Sequence, residues 1–256
     1  MGIRAIFGVL GAIFCGSAAA DDATIAVAAN FARPMERLEA DFESRTGHDL
    51  AVVTGSTGQL YAQIIHGAPF DVFLSADVER VDALEQGGRI VEGRRFTYAV
   101  GQLVLWSRND SPGSGGEAAG RIADLLSSSD GRLAIANPEL APYGRAALQV
   151  LEHLDLRDGL ADRLVYGESV SQALAFGRTG AAQSALVSRG LLDTQVHGLA
   201  NRNWALSVPD AWHDPIRQDA ALLRRGEDNP AARAFFAYLR SEEARAVIAA
   251  SGYRTD

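Results

Sequence analysis

Apolar residues fall in short continuous blocks that alternate with longer stretches of helical period. Residues 24–29 are one such block, rich in Ile, Val and Ala, and predict a buried strand. After Asn30, residues 32–46 set Met35, Leu38 and Phe42 on one helical face, and Gly47 is a good stop. Pro34 is tolerable only in a first turn, which places the helix start near Asn30 or Phe31. Residues 50–53 predict a second strand, followed by Gly55-Ser56-Thr57-Gly58 and a helix through Leu60, Ile64 and Ile65. Residues 71–74 predict a third, with a helix through Val81 and Leu84 that stops at Gly87-Gly88.

The unit recurs further on. Residues 133–136, 164–166 and 185–187 read as strands. Pro142-Tyr143-Gly144 leads to a helix through Leu148 and Leu151, and Glu168-Ser169-Val170-Ser171 leads to one through Ala173, Leu174 and Phe176. Such alternation predicts the α/β class, with mainly parallel sheets flanked by helices on both faces. Residues 98–106 are too long an apolar run for one ordinary strand, and residues 206–216, with Pro209 and Pro215, are irregular. Residues 231–239 and 242–250 read as helices. Two crossings predict two lobes, one from residues 21–101 with 210–256 and the other from residues 102–209. The Ser-Gly-rich stretch 111–120 reads as a surface loop, because no strand–helix frame makes it a phosphate-binding fingerprint.

Residues 1–20 lie outside this scheme. Arg4, the apolar residues 6–14 and Ala18-Ala19-Ala20 predict a secretory signal cleaved before Asp21, and hence a periplasmic protein. The run is too short to span a bilayer. Cys15, the only cysteine, sits within it, and Phe14 is too bulky for the usual residue before a lipidated cysteine. The predicted mature chain of 236 residues (256 less 20) therefore has no disulfide, thiol catalyst or Cys-ligated metal.

Composition narrows the chemistry. All 24 basic residues are Arg, so a P-loop lysine, a Schiff-base lysine and a Ser-x-x-Lys acyltransferase are excluded. The net charge of −8, or −9 once Arg4 leaves, gives no basic face for nucleic acid. His48, His66, His153, His197 and His213 show no His-x-x-x-His spacing, and no metal site is expected. Asp71 and Asp77 read as strand-end and helix-cap residues, the three tryptophans as core or hinge packing, and Arg94-Arg95 and Arg224-Arg225 as short solvated runs.

What remains is a set of strand-to-helix junctions: Ala29-Asn30, Ser56-Thr57, Tyr143-Gly144 and Ser169-Val170. A helix N-terminus presents unpaired N–H groups and a partial positive charge. Several such ends meeting in one cleft form an anion site without a charged side chain. Taken singly, each junction is also an ordinary N-cap.

Taken together they sit in VAANFARPM (residues 27–35), GSTGQLYAQIIHGAPFDVFLSAD (55–77), NPELAPYGRAALQVL (137–151) and ESVSQALAFGRTGAAQSALV (168–187). In this order, across nearly the whole mature chain, these segments resemble the periplasmic molybdate-binding proteins of ABC transporters. The resemblance implies the two-lobed periplasmic binding protein fold of type II, closing on a tetrahedral oxyanion, with molybdate or tungstate as ligand. It implies donors at Ala29 and Asn30, at Ser56 and Thr57, and at the Tyr143 and Val170 backbone. It also implies no cofactor, no catalysis, a membrane permease as partner and a monomeric protein. Thr57 replaces the second serine of the usual pair. Ser188 stands where one branch of the family has a tyrosine, and it is not counted as a donor. Competing expectations are a receptor for another oxyanion or small acid such as sulfate, a secreted serine hydrolase using Ser56 or Ser169, and a ligand-sensing regulator domain. The hydrolase lacks a Gly-x-Ser-x-Gly motif and a partner histidine.

Overall fold

The structure, a computed structural model, describes residues 21–108, 117–192 and 204–255. The predicted signal with Cys15, residues 111–116 of the Ser-Gly-rich stretch, and His197 lie outside the described residues. In chain order the elements begin with β1 (Asp22–Ala28), a 3-10 turn over Ala29–Phe31 that runs into α1 (Ala32–Thr46), β2 (Asp49–Gly55) and α2 (Thr57–Ile65). They continue with β3 (Val72–Leu74), α3 (Glu79–Gln86), β4 (Ile90–Gly101), β5 (Leu103–Ser107), α4 (Ala118–Ser128) and β6 (Leu133–Ala136). Next come α5 (Pro142–His153), α6 (Arg157–Leu160), β7 (Leu164–Gly167), α7 (Val170–Thr179), β8 (Ser184–Ser188) and β9 (Trp204–Ser207). The chain closes with β10 (Ile216–Leu223), α8 (Pro230–Tyr238) and α9 (Glu242–Ala250).

Among the described residues two five-stranded sheets result, in the orders β2-β1-β3-β10-β4 and β7-β6-β8-β5-β9. In the first, β1 pairs parallel with β2 and β3, and β10 runs antiparallel to both β3 and β4. In the second, β6 pairs parallel with β7 and β8, and β5 runs antiparallel to β8 and β9. Each sheet thus keeps all but one strand in a single direction. The reversed strand is the fourth in both, and each follows a crossing from the other sheet. Such a strand enters from the opposite end of the sheet, a reversal that the periodicity of the sequence does not reveal.

Side chains alternate across the first sheet as the pleat requires. Ile25, Val27, Val72, Leu74, Ala220 and Leu222 pack into one core with Phe31, Met35, Leu38 and Phe235. Ala26, Phe73, Ala221 and Leu223 face the opposite way, against Leu60, Ile64, Val81 and Leu84 of α2 and α3. Burial on both faces explains why these strands read as continuous apolar runs. The second sheet holds its own core around Val104, Trp106, Ile135, Val150, Leu174 and Leu186.

The apolar run 98–106 is two strands in different sheets, divided at Gln102. Gly101 is the last residue of the first of them, and it is glycine because a Cβ there would lie 2.1 Å from the Tyr143 hydroxyl. Gly47 closes α1 in the left-handed region at φ 73°, its N–H donating to the Glu43 carbonyl. The expectation of a loop through residue 120 needs correction: Ala118 to Gly120 open α4, whose buried Ile122 and Leu126 repeat at helical spacing. Arg95 also departs from its solvated reading. It bonds Glu85 at 2.9 Å and Asp219 at 2.7 Å and pairs with Asp82, and these carboxylates hold it protonated far above the ordinary arginine range despite its partial burial.

Candidate functional site

Each predicted site residue lies at a helix start. Ala29 and Asn30 begin the turn into α1, Ser56 is the N-cap of α2 and Thr57 its first residue, Tyr143 follows Pro142 in α5, and Val170 opens α7. All six are buried, between 1% and 7% exposed. N–H groups in a helical first turn have no partner within the helix. Pro142 suits the first position of α5 because it lacks the N–H that would go unpaired there.

Local chemistry fixes these starts. Ser56 Oγ accepts from the Gln59 N–H at 3.4 Å, while Gln59 Oε1 accepts from the Ser56 N–H at 3.3 Å, a reciprocal capping box. The Thr57 hydroxyl oxygen accepts from the Ala76 N–H at 3.3 Å and so ties α2 to the end of β3. Ser169 Oγ caps α7 by accepting from the Gln172 N–H at 3.2 Å.

Hydrogen bonds between the lobes bring the junctions into one neighbourhood. Ser171 Oγ donates to the Ala29 carbonyl at 3.0 Å, setting α7 against the start of α1. The Gly58 N–H donates to the Leu140 carbonyl at 2.9 Å, setting α2 against the loop before α5. Gln59 Nε2 donates to Glu168 at 3.3 Å, joining α2 to the entry of α7. Gln218 completes the circuit: its Oε1 accepts from Asn30 Nδ2 at 2.8 Å, and its Nε2 lies 3.4 Å from the Tyr143 hydroxyl. Four helix starts, two from each lobe, therefore face one another.

Comparison with known proteins identifies the family. Residues 23–254 match the bacterial extracellular solute-binding proteins. The molybdate-binding protein ModA of Azotobacter vinelandii is 43% identical over 243 residues, covering 95% of this chain and 93% of that protein. ModA of Rhodobacter capsulatus is 41% identical, covering 93% and 90%. The chain belongs to the ModA family of bacterial extracellular solute-binding proteins. The solved periplasmic molybdate-binding protein of Azotobacter vinelandii superposes with a TM-score of 0.83 at 35% identity, over 91% of this chain and 99% of that one. That match carries the two-lobed α/β fold of the ModA family over to this chain.

Behind the junctions lies a buried polar network that sequence reasoning missed. Tyr253 donates its O–H to the Asn30 carbonyl at 2.6 Å and accepts from Asn30 Nδ2 at 3.1 Å. Tyr98 O–H donates to Gln218 Oε1 at 3.1 Å. Ser188 Oγ donates to the Tyr143 hydroxyl at 3.0 Å, accepts from the Gly190 N–H, and lies 3.2 Å from the Tyr253 hydroxyl. Burial pushes the Tyr253 hydroxyl up to about 12, and Tyr98 and Tyr143 well above their ordinary value, so all three stay neutral. No sequence signal marked these residues: Gln218 lies between Arg217 and Asp219, Tyr253 between Gly252 and Arg254, and nothing local names their partners.

The carboxylates singled out in the sequence have structural partners. Asp71 accepts from the Thr24 N–H at 2.8 Å and pairs with Arg225. Asp77 accepts from the Arg80 N–H at 3.2 Å, pairs with the Arg80 guanidinium, and receives Arg145 from the other lobe at 3.1 Å. A crevice beside the junctions is lined by Asp77, Thr97, Arg145 and Asp219 among others, and none of the six predicted donors forms its wall. Among the described residues, no helix is long and apolar enough to cross a membrane.

Proposed function

We propose that this protein is a periplasmic receptor that captures molybdate, and tungstate with it, and delivers it to the permease of an ABC transporter. The observation that carries this reading is the meeting of four helix N-termini from two lobes at buried, neutral positions. Residues 21–101 with 210–256 form one lobe and residues 102–209 the other. The donors are the backbone N–H groups of Ala29, Asn30, Thr57, Tyr143 and Val170, with the Ser56 and Thr57 hydroxyls.

Hydrogen-bond inventory divides the side-chain roles. Both amide hydrogens of Asn30 are used by Gln218 and Tyr253, so its side chain orients the junction and its backbone faces the anion. Ser56 Oγ accepts one bond and keeps its own proton to donate. Thr57 Oγ1 likewise accepts one bond, from the Ala76 N–H at the end of β3, and keeps its proton, so both hydroxyls can donate to the ligand. Arg80 and Arg145, which reach between the lobes, are paired with Asp77. The anion is then held by neutral dipoles, and no bond is made or broken.

A cavity of fixed donors selects by size and by protonation. A smaller tetrahedral anion such as sulfate leaves buried N–H groups too distant to bond, at about 1–3 kcal/mol for each left unsatisfied. Phosphate near neutral pH carries a proton that needs an acceptor. Export by the signal at residues 1–20 delivers the receptor to the periplasm, where it works as a monomer without a cofactor. Thermal unfolding with and without sodium molybdate tests the reading, because a ligand that binds only the native state raises the midpoint. An unmoved midpoint at millimolar molybdate overturns it.

A further inference from the structure

One position in α2 runs against local propensity. Gly58 is the second residue of the helix, where glycine is a poorer helix former than any residue but proline. Its N–H, with no partner inside the helix, donates to the Leu140 carbonyl of the other lobe at 2.9 Å. A Cβ at Gly58 would lie 3.1 Å from both the Cα and the carbonyl oxygen of Leu140. Close approach of the two backbones accounts for the glycine, and that approach exists only when the lobes are together.

Charged groups clasp the same rim. Arg80 Nη2 donates to the Glu139 carbonyl at 2.8 Å, one residue before Leu140. Asp77, whose side chain is 4% exposed, is paired by Arg80 from its own lobe and by Arg145 of α5 at 3.1 Å. Arg145 is two residues beyond Tyr143, so this bond also holds the start of α5 against the first lobe.

We propose that Gly58, Asp77 and Arg145 form a latch between the lobes that sets how long a captured anion is retained. The latch rests on the anion-receptor reading for its function, but its contacts use none of the donors assigned to the anion. Contacts made only in the closed state shift the opening equilibrium by their own free energy, whatever lies in the cleft. Since the anion leaves through opening, the latch acts on release. These are positioning residues: they touch the opposite lobe and leave the ligand to the helix ends.

The test uses the mature chain and two variants, Arg145→Met and Gly58→Ala. Release of radiolabelled molybdate is chased with unlabelled anion, and exchange of the Gly58 amide is followed by NMR without anion. Arg145→Met should speed release about two- to fivefold, the range for a partly exposed ion pair. It should also lower Gly58 amide protection, which no intrahelical bond supplies. Gly58→Ala should speed release without lowering the thermal midpoint, because alanine favours the helix. Unchanged release in both variants, or a Gly58 amide equally exposed in wild type and Arg145→Met, overturns the latch. If the wild type binds no molybdate the receptor reading fails instead, and Gly58 exchange in the anion-free protein still decides the latch.

Discussion

Replacing Ser56 by alanine separates what its hydroxyl does for the fold from what it does for the ligand. In the fold, Ser56 Oγ caps α2 through a 3.4 Å bond to the Gln59 N–H, near the outer limit of hydrogen-bond length. Losing an N-cap typically costs about 1 kcal/mol, and so long a bond belongs at the low end of the range. The other half of the capping box, from the Ser56 N–H to Gln59 Oε1, survives the substitution. In the proposed complex the same hydroxyl donates to a dianion, and a hydrogen bond to a charged group is worth about 1.5–3 kcal/mol. The affinity should therefore fall about ten- to a hundredfold, at 1.4 kcal/mol per factor of ten. Thr57→Ala should also lower affinity and add a larger loss of stability, about 1–3 kcal/mol, because it strands the buried Ala76 N–H. Calorimetric titration with molybdate, beside urea unfolding of the anion-free variants, reads both quantities. A folded Ser56→Ala protein that binds within twofold of wild type would refute the donor assignment.

Three further outcomes follow from the buried network and the crossing. Tyr253→Phe leaves the Asn30 carbonyl without its donor and should cost about 1–3 kcal/mol in urea unfolding; an unchanged midpoint would mean that water replaces the hydroxyl. Because burial raises the Tyr253 hydroxyl to about 12, the folded state keeps a proton that the unfolded chain loses near pH 10. Stability from this group is complete below pH 10 and declines as pH rises from about 10 to 12. Tyrosinate absorbance should accordingly show Tyr98, Tyr143 and Tyr253 titrating late, while a single class near pH 10 in the folded protein would contradict their burial. Gly101→Ala should destabilise by about 1–3 kcal/mol or more, since its Cβ would overlap the Tyr143 hydroxyl; thermal unfolding equal to wild type would show that the crossing has room.

The repeated strand–helix alternation and the helix starts at Asn30, Ser56, Tyr143 and Val170 were legible because each is written locally. Apolar blocks, a proline at an N-terminus and a Ser with Gln three residues on are patterns of nearest neighbours. The reversal of β5 and β10 was not legible, since strand direction depends on where a crossing enters the sheet. Nor was α4, whose Ala-Ala-Gly start continues a Ser-Gly-rich stretch and hides the Ile122–Leu126 repeat. Around these junctions, the helix starts were legible and the hydrogen bonds that hold them together were not. Asn30 shares hydrogen bonds with Gln218 and Tyr253, which are 188 and 223 residues away in sequence, and no local pattern carries such a pairing. Ser188, set aside as a ligand donor, turns out to brace the Tyr143 and Tyr253 hydroxyls.

The acidic charge of the chain also finds its place. A net charge of −8 opposes an anion only over distances that physiological salt screens within about 8–10 Å, and helix dipoles act inside that range. The claim at the centre of this account is that neutral donors, fixed in size and number, choose the ligand. Titration calorimetry of the mature protein against molybdate, tungstate, sulfate and phosphate tests it most directly. Tight binding of molybdate and tungstate, with sulfate and phosphate far weaker, is the predicted result; equal affinity for sulfate, or no heat with molybdate, would contradict it.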